Sequence, residues 1–123
     1  MRGIARYLLI PPALAALACS SYGDDDNGLP LNSTVTAGQN NVFAPSEVRV
    51  PAGGSVTWSF GPVAHNVTFS SSGAPADIEG ENADTQVVRT FASVGVFDYE
   101  CTIHPGMTGR VVVENRPGYM TSP

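Results

Sequence analysis

The stretch GSVTWSF, residues 54–60, decides how the rest of the chain is interpreted, because its apolar residues occupy every second position. Val56, Trp58 and Phe60 share one face of an extended chain, while serine or threonine points the other way. A period of two predicts a β-strand with one buried face. The chain around it is therefore expected to form sheet.

Short runs of the same kind recur on both sides of this stretch, separated by Gly and Pro, and no long run has helical spacing. The runs are TVTAG, NVFAP, EVRVP, HNVTFS, TQVVRTF, GVFDYEC and GRVVVE. Roughly seven or eight short strands predict an antiparallel sandwich or a small barrel. Only residues 71–85 lack strand character, so we expect a long loop there, with one helical turn around Asp77–Gly80.

Residues 1–18 predict a secretory leader. Arg2 and Arg6 precede an apolar run that is short for a membrane span and ends in small residues before Cys19. The junction resembles a bacterial lipobox, in which the cysteine is lipidated, although Ala16 stands where leucine is usual. An ordinary signal-peptidase cut and an uncleaved anchor helix are the alternatives. All three place the domain outside the cytoplasm, in the periplasm or at the cell surface.

The mature part is divided by composition. Residues 19–32 are polar, acidic and marked by Gly and Pro, so we expect a flexible tether there. Its three Asp residues do not fit a calcium loop, because Gly28 is misplaced and no Glu closes the motif. We expect the folded domain, a monomer, to span residues 33–115, followed by a tail at residues 116–123.

The charge balance is acidic, with six Arg against eleven Asp and Glu and a net charge of −5. Loss of the leader removes two Arg, which leaves four against eleven acids and a net charge of −7. Such a surface excludes nucleic acid as a partner, because phosphates need a basic face. It suits a basic partner met in a brief, electrostatically steered encounter.

Four side chains form a possible metal-ligand set. Cys101, His104 and Met107 lie together in CTIHPGM, residues 101–107, and His65 opens a predicted strand. Zinc takes a thioether poorly, while calcium and magnesium prefer oxygen. One Cys and two His with a weak axial Met is the type 1 copper arrangement.

Each of these residues also has an interpretation without metal. A buried inert Cys101 or a Cys19–Cys101 disulfide explains the cysteines, and a lone His or Met is most often structural. Met120 is a second methionine, but it falls in the predicted tail. The sequence Asn66-Val67-Thr68 matches a glycosylation pattern, which a bacterial-type leader makes a false positive.

The spacing of the set adds a family resemblance. The loop Cys-x-x-His-x-x-Met, together with the upstream NVFAPSEVRVPAGGSVTWSF and HNVTF, resembles the cupredoxins, the small blue copper proteins, and most closely the plastocyanin, pseudoazurin and amicyanin group. The resemblance covers about residues 40–114. It departs at Ala64 and Ile103, where family members often have proline, which affects the expected reduction potential more than copper binding.

The resemblance implies a cupredoxin-like antiparallel Greek-key β-sandwich of about seven to eight strands that binds one copper ion. It implies His65, Cys101, His104 and Met107 as copper ligands, and Asn66 as the residue that steadies the cysteine loop. The implied function is one-electron transfer through the surface edge of His104, and not catalysis. The implied partners are redox proteins such as a cytochrome or a membrane oxidoreductase.

Two other functions stay open at this point. The same site could carry, buffer or sense copper, although the Met-rich or His-rich tracts of such proteins are absent. A metal-free β-sandwich interaction module is the third hypothesis. The acids Asp77, Glu79, Glu81 and Asp84 form either a docking patch or a merely solvated loop.

Overall fold

A computed structural model describes residues 28–115, which form nine β-strands and no helix. The strands are β1 (Asn32–Ala37), β2 (Phe43–Ala44), β3 (Glu47–Pro51), β4 (Ser55–Phe60), β5 (His65–Phe69), β6 (Ile78–Asn82), β7 (Thr85–Thr90), β8 (Gly95–Glu100) and β9 (Thr108–Glu114). Within these residues there is no helix long and apolar enough to cross a membrane. The predicted leader, most of the predicted tether and the predicted tail lie outside the described residues.

The strands form two sheets, with the orders β2-β1-β4-β7 and β3-β9-β8-β5-β6. The prediction of an all-β sandwich is confirmed. Five of the seven strand pairs are antiparallel, as expected for the sandwich, whereas β1 pairs with β4 and β3 pairs with β9 in parallel. Parallel neighbours need long connections, so the local alternation of residues cannot reveal them.

The predicted loop at residues 71–85 contains a strand, β6, where a helical turn was expected. Its sequence, IEGEN, has weak strand propensity and one buried residue, Ile78. The strand forms because β5 supplies a partner, with Val67 opposite Ile78 and His65 opposite Asn82. Tertiary pairing therefore overrides the local preference here.

The first strand includes Asn32, the last residue of the predicted tether. Asn32, assigned above to the end of the tether, is the first residue of β1 and pairs with Ser55 of β4. The amide of Ser55 also donates to the carbonyl of Leu31 at 2.9 Å. Residues 31 and 32 are thus tied to the sheet.

The core is built around β4, the stretch with the period of two. Its residues alternate between half-buried and buried, and the Trp58 side chain is fully buried. The Trp58 ring meets the rings of Tyr99 and Phe69 edge-on, at centroid distances of 5.3 and 5.9 Å. Burial of each large apolar side chain contributes about 1.5–3 kcal/mol, so this aromatic cluster holds the two sheets together.

Tyr99 lies directly over Gly109, its partner in the β8–β9 register. A Cβ atom at position 109 would overlap Cζ and Oη of Tyr99 and would lie 2.7 Å from Cε2. The tyrosine ring therefore occupies the space that a side chain would need. Burial raises the pKa of Tyr99 to about 12, so the hydroxyl stays neutral at physiological pH.

Candidate metal centre

The predicted ligands come together at one end of the sandwich. β5 begins at His65, and the antiparallel neighbour β8 ends at Glu100, one residue before Cys101. In an antiparallel pair the start of one strand lies beside the end of the other. The topology thus places His65 next to the loop that carries the other three residues.

Two backbone hydrogen bonds shape the loop between β8 and β9. The amide of Cys101 donates to the carbonyl of Met107 at 2.9 Å, and the amide of Met107 donates to the carbonyl of His104 at 3.1 Å. Gly106 has φ of +87°, a conformation that residues with a Cβ rarely adopt. The loop is therefore a closed turn, and the positions of its three candidate ligands are coupled.

Three donor atoms converge at the centre of this end. The Nδ1 atoms of His65 and His104 are 3.2 Å apart, and the Cys101 Sγ lies 3.9 Å from the first and 3.6 Å from the second. Bonds of about 2.0 Å to nitrogen and 2.3 Å to thiolate sulfur at trigonal angles give separations of about 3.5 Å between the nitrogens and about 3.7 Å between nitrogen and sulfur, within a few tenths of an ångström of those observed. One first-row metal ion fits among the three atoms.

The tautomer of His65 is set by the partner of Nε2. Nε2 lies 2.8 Å from the carbonyl oxygen of Gly38. Because a carbonyl can only accept, Nε2 carries a proton, and this tautomer leaves Nδ1 as the nitrogen with a lone pair for a metal. A backbone acceptor of this kind orients a ligating histidine and sets its tautomer.

Burial separates the four residues into two groups. His65, Cys101 and Met107 are 0–2% exposed, whereas His104 is only half-buried. Cys101 is a free thiol. The thiol, the buried thioether and two imidazoles are the donor set that copper accepts in both oxidation states, so the residues fit this metal.

Asn66 and Thr102, each adjacent to a candidate ligand, are joined by two hydrogen bonds. The Asn66 side-chain amide donates to Thr102 Oγ1 at 2.8 Å, and the Thr102 amide donates to Asn66 Oδ1 at 2.9 Å. The pair links β5 to the cysteine loop. It therefore restrains the separation of His65 and Cys101.

Replacement of Asn66 by Ala is expected to destabilise the copper-free protein by about 1–2 kcal/mol, because two hydrogen bonds are lost at a half-buried position. Copper should also dissociate faster to a chelator. Asn66→Asp, which keeps the acceptor but loses the donor, should fall between Ala and wild type. Urea unfolding and a chelator assay measure the two effects, and an unchanged dissociation rate in Asn66→Ala would show that the pair does not support the site.

Two contacts of the site were not predicted from the sequence. The acceptor for His65 is the backbone of Gly38, and the Asn82 side chain donates to the His65 carbonyl at 3.0 Å. A backbone carbonyl in a loop gives no sequence signal. Asn82 lies in a segment predicted to lack strands, so its pairing with His65 could not be anticipated.

Of the other sequence candidates, the acids of the described chain are not brought to this cluster. Met120 lies outside the described residues. Asp77 accepts a hydrogen bond from the Phe69 amide at 2.9 Å, and Glu79, Glu81 and Asp84 are exposed. Among residues 28–115, His65, Cys101 and His104 form the one group of His, Cys, Asp or Glu whose ligand atoms could share a metal ion.

Comparison with known proteins agrees with this geometry. The family model of copper-binding proteins of the plastocyanin/azurin family matches residues 31–114. Amicyanin-alpha of Methylorubrum extorquens is 39% identical over 83% of this chain and 88% of its own length. Amicyanin of Paracoccus versutus is 36% identical over 70% of this chain and 68% of its own length.

Solved structures show the same relationship. The crystal structure of amicyanin from Paracoccus versutus superposes with a TM-score of 0.58, at 33% identity over 72% of this chain and 88% of that chain. The sequence prediction of the family and of its cofactor is thereby confirmed. The chain belongs to the plastocyanin/azurin family of copper-binding proteins, and its cofactor is a type 1 copper ion.

Proposed function

We propose that this cupredoxin carries single electrons between redox partners outside the cytoplasm, with copper held by His65, Cys101, His104 and Met107. The observation that carries the proposal is the convergence of two imidazole nitrogens and one thiol sulfur at separations of 3.2–3.9 Å. Copper supplies a one-electron couple between Cu(I) and Cu(II) when it is bound. The protein residues determine where that electron enters and leaves.

The burial of the ligands favours electron transfer over catalysis. Three of the four side chains are almost fully buried, and a four-ligand shell leaves no position for a substrate. The backbone hydrogen bonds of the cysteine loop and the Asn66–Thr102 pair hold the donors in place. A shell that moves little when the charge changes keeps the reorganisation cost low, and this favours a carrier that is not an enzyme.

His104 is the proposed route for the electron. It is the one candidate ligand that reaches the surface. Its neighbours in the loop are exposed too, namely Ile103, at 39%, Pro105 and Gly106. The loops at residues 38–42, 61–64 and 102–107 contain no charged residue. A partner can therefore approach this end without removing water from a charge.

The acidic balance of the chain defines the kind of partner. Glu81 and Asp84 lie beside the metal end, since Asn82 pairs with His65 and the Asp84 amide donates to the Gly61 carbonyl. A redox protein with an apolar contact area and neighbouring basic residues fits this arrangement. A cytochrome or a membrane oxidoreductase is such a partner.

Attachment to the membrane belongs to the same proposal. A lipid on Cys19 would hold the domain through the predicted tether, outside the cytoplasm. The described chain begins at the end of the sandwich away from the metal, because β1 runs from Asn32 towards Gly38, the partner of His65. Six residues of strand span about 20 Å, so the tether would leave the metal end free.

The role as carrier, buffer or sensor of copper is the less favoured alternative. The chain has two His and three Met in total, and among the described residues His65, His104 and Met107 all lie at the one site. A rigid, buried shell releases metal slowly. Fast electron exchange with slow copper release to a chelator is the expected combination.

Copper-loaded His104→Gly is expected to exchange electrons with cytochrome c, a small basic probe, at least about tenfold more slowly, which corresponds to a barrier about 1.4 kcal/mol higher. Added imidazole should restore part of the rate by filling the vacated position. Stopped-flow absorption measures both. A His104→Gly protein that binds copper and keeps the full rate without imidazole would contradict this route.

A second variant tests the route with all four ligands intact. Ile103→Lys places a positive charge beside His104, so the rate with the basic cytochrome should fall and recover as salt is raised. Val96→Lys makes the same charge change at an exposed valine and serves as the control. Val96 lies near the start of β8, at the opposite end of that strand from Cys101. Equal rates for the two variants would show that the partner docks elsewhere.

A further inference from the structure

The large apolar side chains that stay exposed on the described domain are not spread evenly over it. They are 39–54% exposed and comprise Leu31, Val42, Val88, Val94, Val96 and Ile103. Val42 and Ile103 lie in the loops of the metal end, where the redox partner is proposed to dock. Val88 lies within β7, on the outer face of the four-stranded sheet. The other three lie at or next to the opposite end of the sandwich.

We call this opposite end the tether end, because the described chain starts there. It is formed by three segments, residues 28–31, 51–54 and 91–95. Their sequences, GLPL, PAGG and FASVG, contain no charged residue, although the whole chain has a net charge of −5. The tether end is thus as free of charge as the loops of the metal end.

Backbone hydrogen bonds bring Leu31 and Val94 to this end. The Leu31 carbonyl accepts from the first amide of β4 at 2.9 Å, and the Gly54 carbonyl accepts from the Phe91 amide at 2.9 Å. Phe91 follows β7 and begins the segment that leads through Val94 to β8. Val96, the second residue of β8, lies beside that segment. Leu31 is 50% and Val94 54% exposed, so about half of each apolar side chain remains in contact with water.

The part of the chain before the described residues indicates what could cover this end. Eight residues separate Cys19 from Gly28, so even an extended connection spans at most about 30 Å. A lipid on Cys19 would keep the tether end within that distance of a bilayer. A domain held so close meets the lipid surface at a high effective concentration, which populates even a weak contact.

The charge of the chain selects among lipid surfaces. After loss of the leader, four Arg stand against eleven acids, and Asp24, Asp25 and Asp26 lie between Cys19 and the domain. Anionic headgroups repel such a chain, whereas zwitterionic headgroups carry no net charge. The tether end can approach a zwitterionic surface without removing water from a charged side chain.

We propose that the tether end rests on a zwitterionic lipid surface, with Leu31 and Val94 inserted among the headgroups. This orientation rests on the lipid attachment that belongs to the proposed function. β8 runs from Gly95 at the tether end to the residue before Cys101, so the metal end faces away from the bilayer. The redox partner then reaches His104 from the aqueous side, and the membrane covers none of the docking surface.

The test measures how deeply a tryptophan at position 94 lies in the bilayer. The copper-loaded mature chain, residues 19–123, is coupled through Cys19 to a maleimide lipid in phosphatidylcholine vesicles. Cys101 is 1% exposed and holds copper, so it does not compete for the maleimide. Because chemical coupling supplies the anchor, the result does not depend on natural lipidation. Phosphatidylcholine with brominated acyl chains quenches tryptophan at short range, and the wild type gives the background from the buried Trp58.

Val94→Trp should be quenched at least about threefold more than Val88→Trp, because an apolar side chain at the interface lies about 5–10 Å deep, at the boundary of headgroups and acyl chains. Val88 is the matched control, at 51% exposure compared with 54% for Val94, and it lies on a side of the domain. Equal quenching of the two variants would overturn the proposal. Stronger quenching of Ile103→Trp would also overturn it, because the metal end would then face the lipid.

A charge variant tests whether the apolar contact holds this end on the lipid. Leu31→Glu, added to Val94→Trp, should lower the quenching at least about twofold, because a carboxylate resists transfer out of water. Val88→Glu in the same background is the control, since Val88 and Leu31 are 51% and 50% exposed, and it should leave the quenching unchanged. Equal quenching in these two double variants would contradict a contact through Leu31.

The same vesicles separate the membrane orientation from the carrier function. The visible copper band and electron exchange with cytochrome c report the carrier function independently of depth. A normal band and normal exchange, combined with equal quenching of Val94→Trp and Val88→Trp, would refute the orientation alone. Loss of the band and of the exchange in the wild type would contradict the proposed function instead. Mass spectrometry of the chain expressed with its leader tests the lipid on Cys19 separately.

Discussion

Replacement of Cys101 by Ser is expected to abolish the stabilisation that copper gives to this protein. A ligand that binds only the native state adds about 2.7 kcal/mol at a concentration one hundred times its dissociation constant. Cys101 is the only sulfur donor among the three converging residues, and serine is a poor ligand for copper in either oxidation state. Urea unfolding with and without copper should therefore differ in the wild type and coincide in Cys101→Ser.

Cys19→Ser is the matched control, since it removes the other cysteine of the chain. It should keep the full copper-dependent stabilisation. The copper-free Cys101→Ser protein should fold nearly as well as the copper-free wild type, because the change is almost isosteric. Copper-dependent stabilisation that survives in Cys101→Ser and disappears in Cys19→Ser would contradict the ligand assignment.

Gly109→Ala is expected to cost about 3 kcal/mol or more in the free energy of unfolding, at the upper end of overpacking effects. The added methyl group would overlap the Tyr99 ring, which has no room to move because it packs against Trp58 and Phe43. Urea unfolding of the copper-free protein measures the loss. Because Tyr99 lies two residues before Cys101, the copper band should also shift or broaden.

Gly61→Ala is the control for the loss of a glycine as such. A Cβ at Gly61 would lie 3.7 Å from the Ala37 carbonyl, an ordinary contact, and the expected change is below about 1 kcal/mol. Combining Gly109→Ala with Tyr99→Leu should recover part of the stability, because the smaller side chain makes room. Equal costs for the two alanine variants would show that the Tyr99–Gly109 contact is not responsible.

The sheet architecture could be predicted where burial alternates strongly along the chain. In β4 every apolar residue is buried and every hydroxyl residue is half-buried, so the period of two was unambiguous. β6 could not be predicted, because its residues IEGEN show no alternation and pairing with β5 creates the strand. The parallel pairs β1–β4 and β3–β9 were missed because they join segments far apart in the sequence.

The types of ligand could be predicted from the sequence, but their arrangement in space could not. The donor types and the short loop CTIHPGM are local features, and local features can be compared with a known pattern. The distance from His65 to Cys101 depends on the β5–β8 pairing, which only the fold supplies. The tautomer of His65 depends on the carbonyl of Gly38, and a backbone acceptor cannot be recognised from the sequence.

Titration of the copper-free wild-type protein with Cu(II), followed by visible absorption, tests the central claim most directly. A thiolate of Cys101 bound to Cu(II) should give an intense charge-transfer band that grows linearly and stops at one equivalent of copper. Cys101→Ser should give no such band. A wild-type protein that stays colourless, or whose band is unchanged in Cys101→Ser, would contradict a copper centre built on His65, Cys101, His104 and Met107.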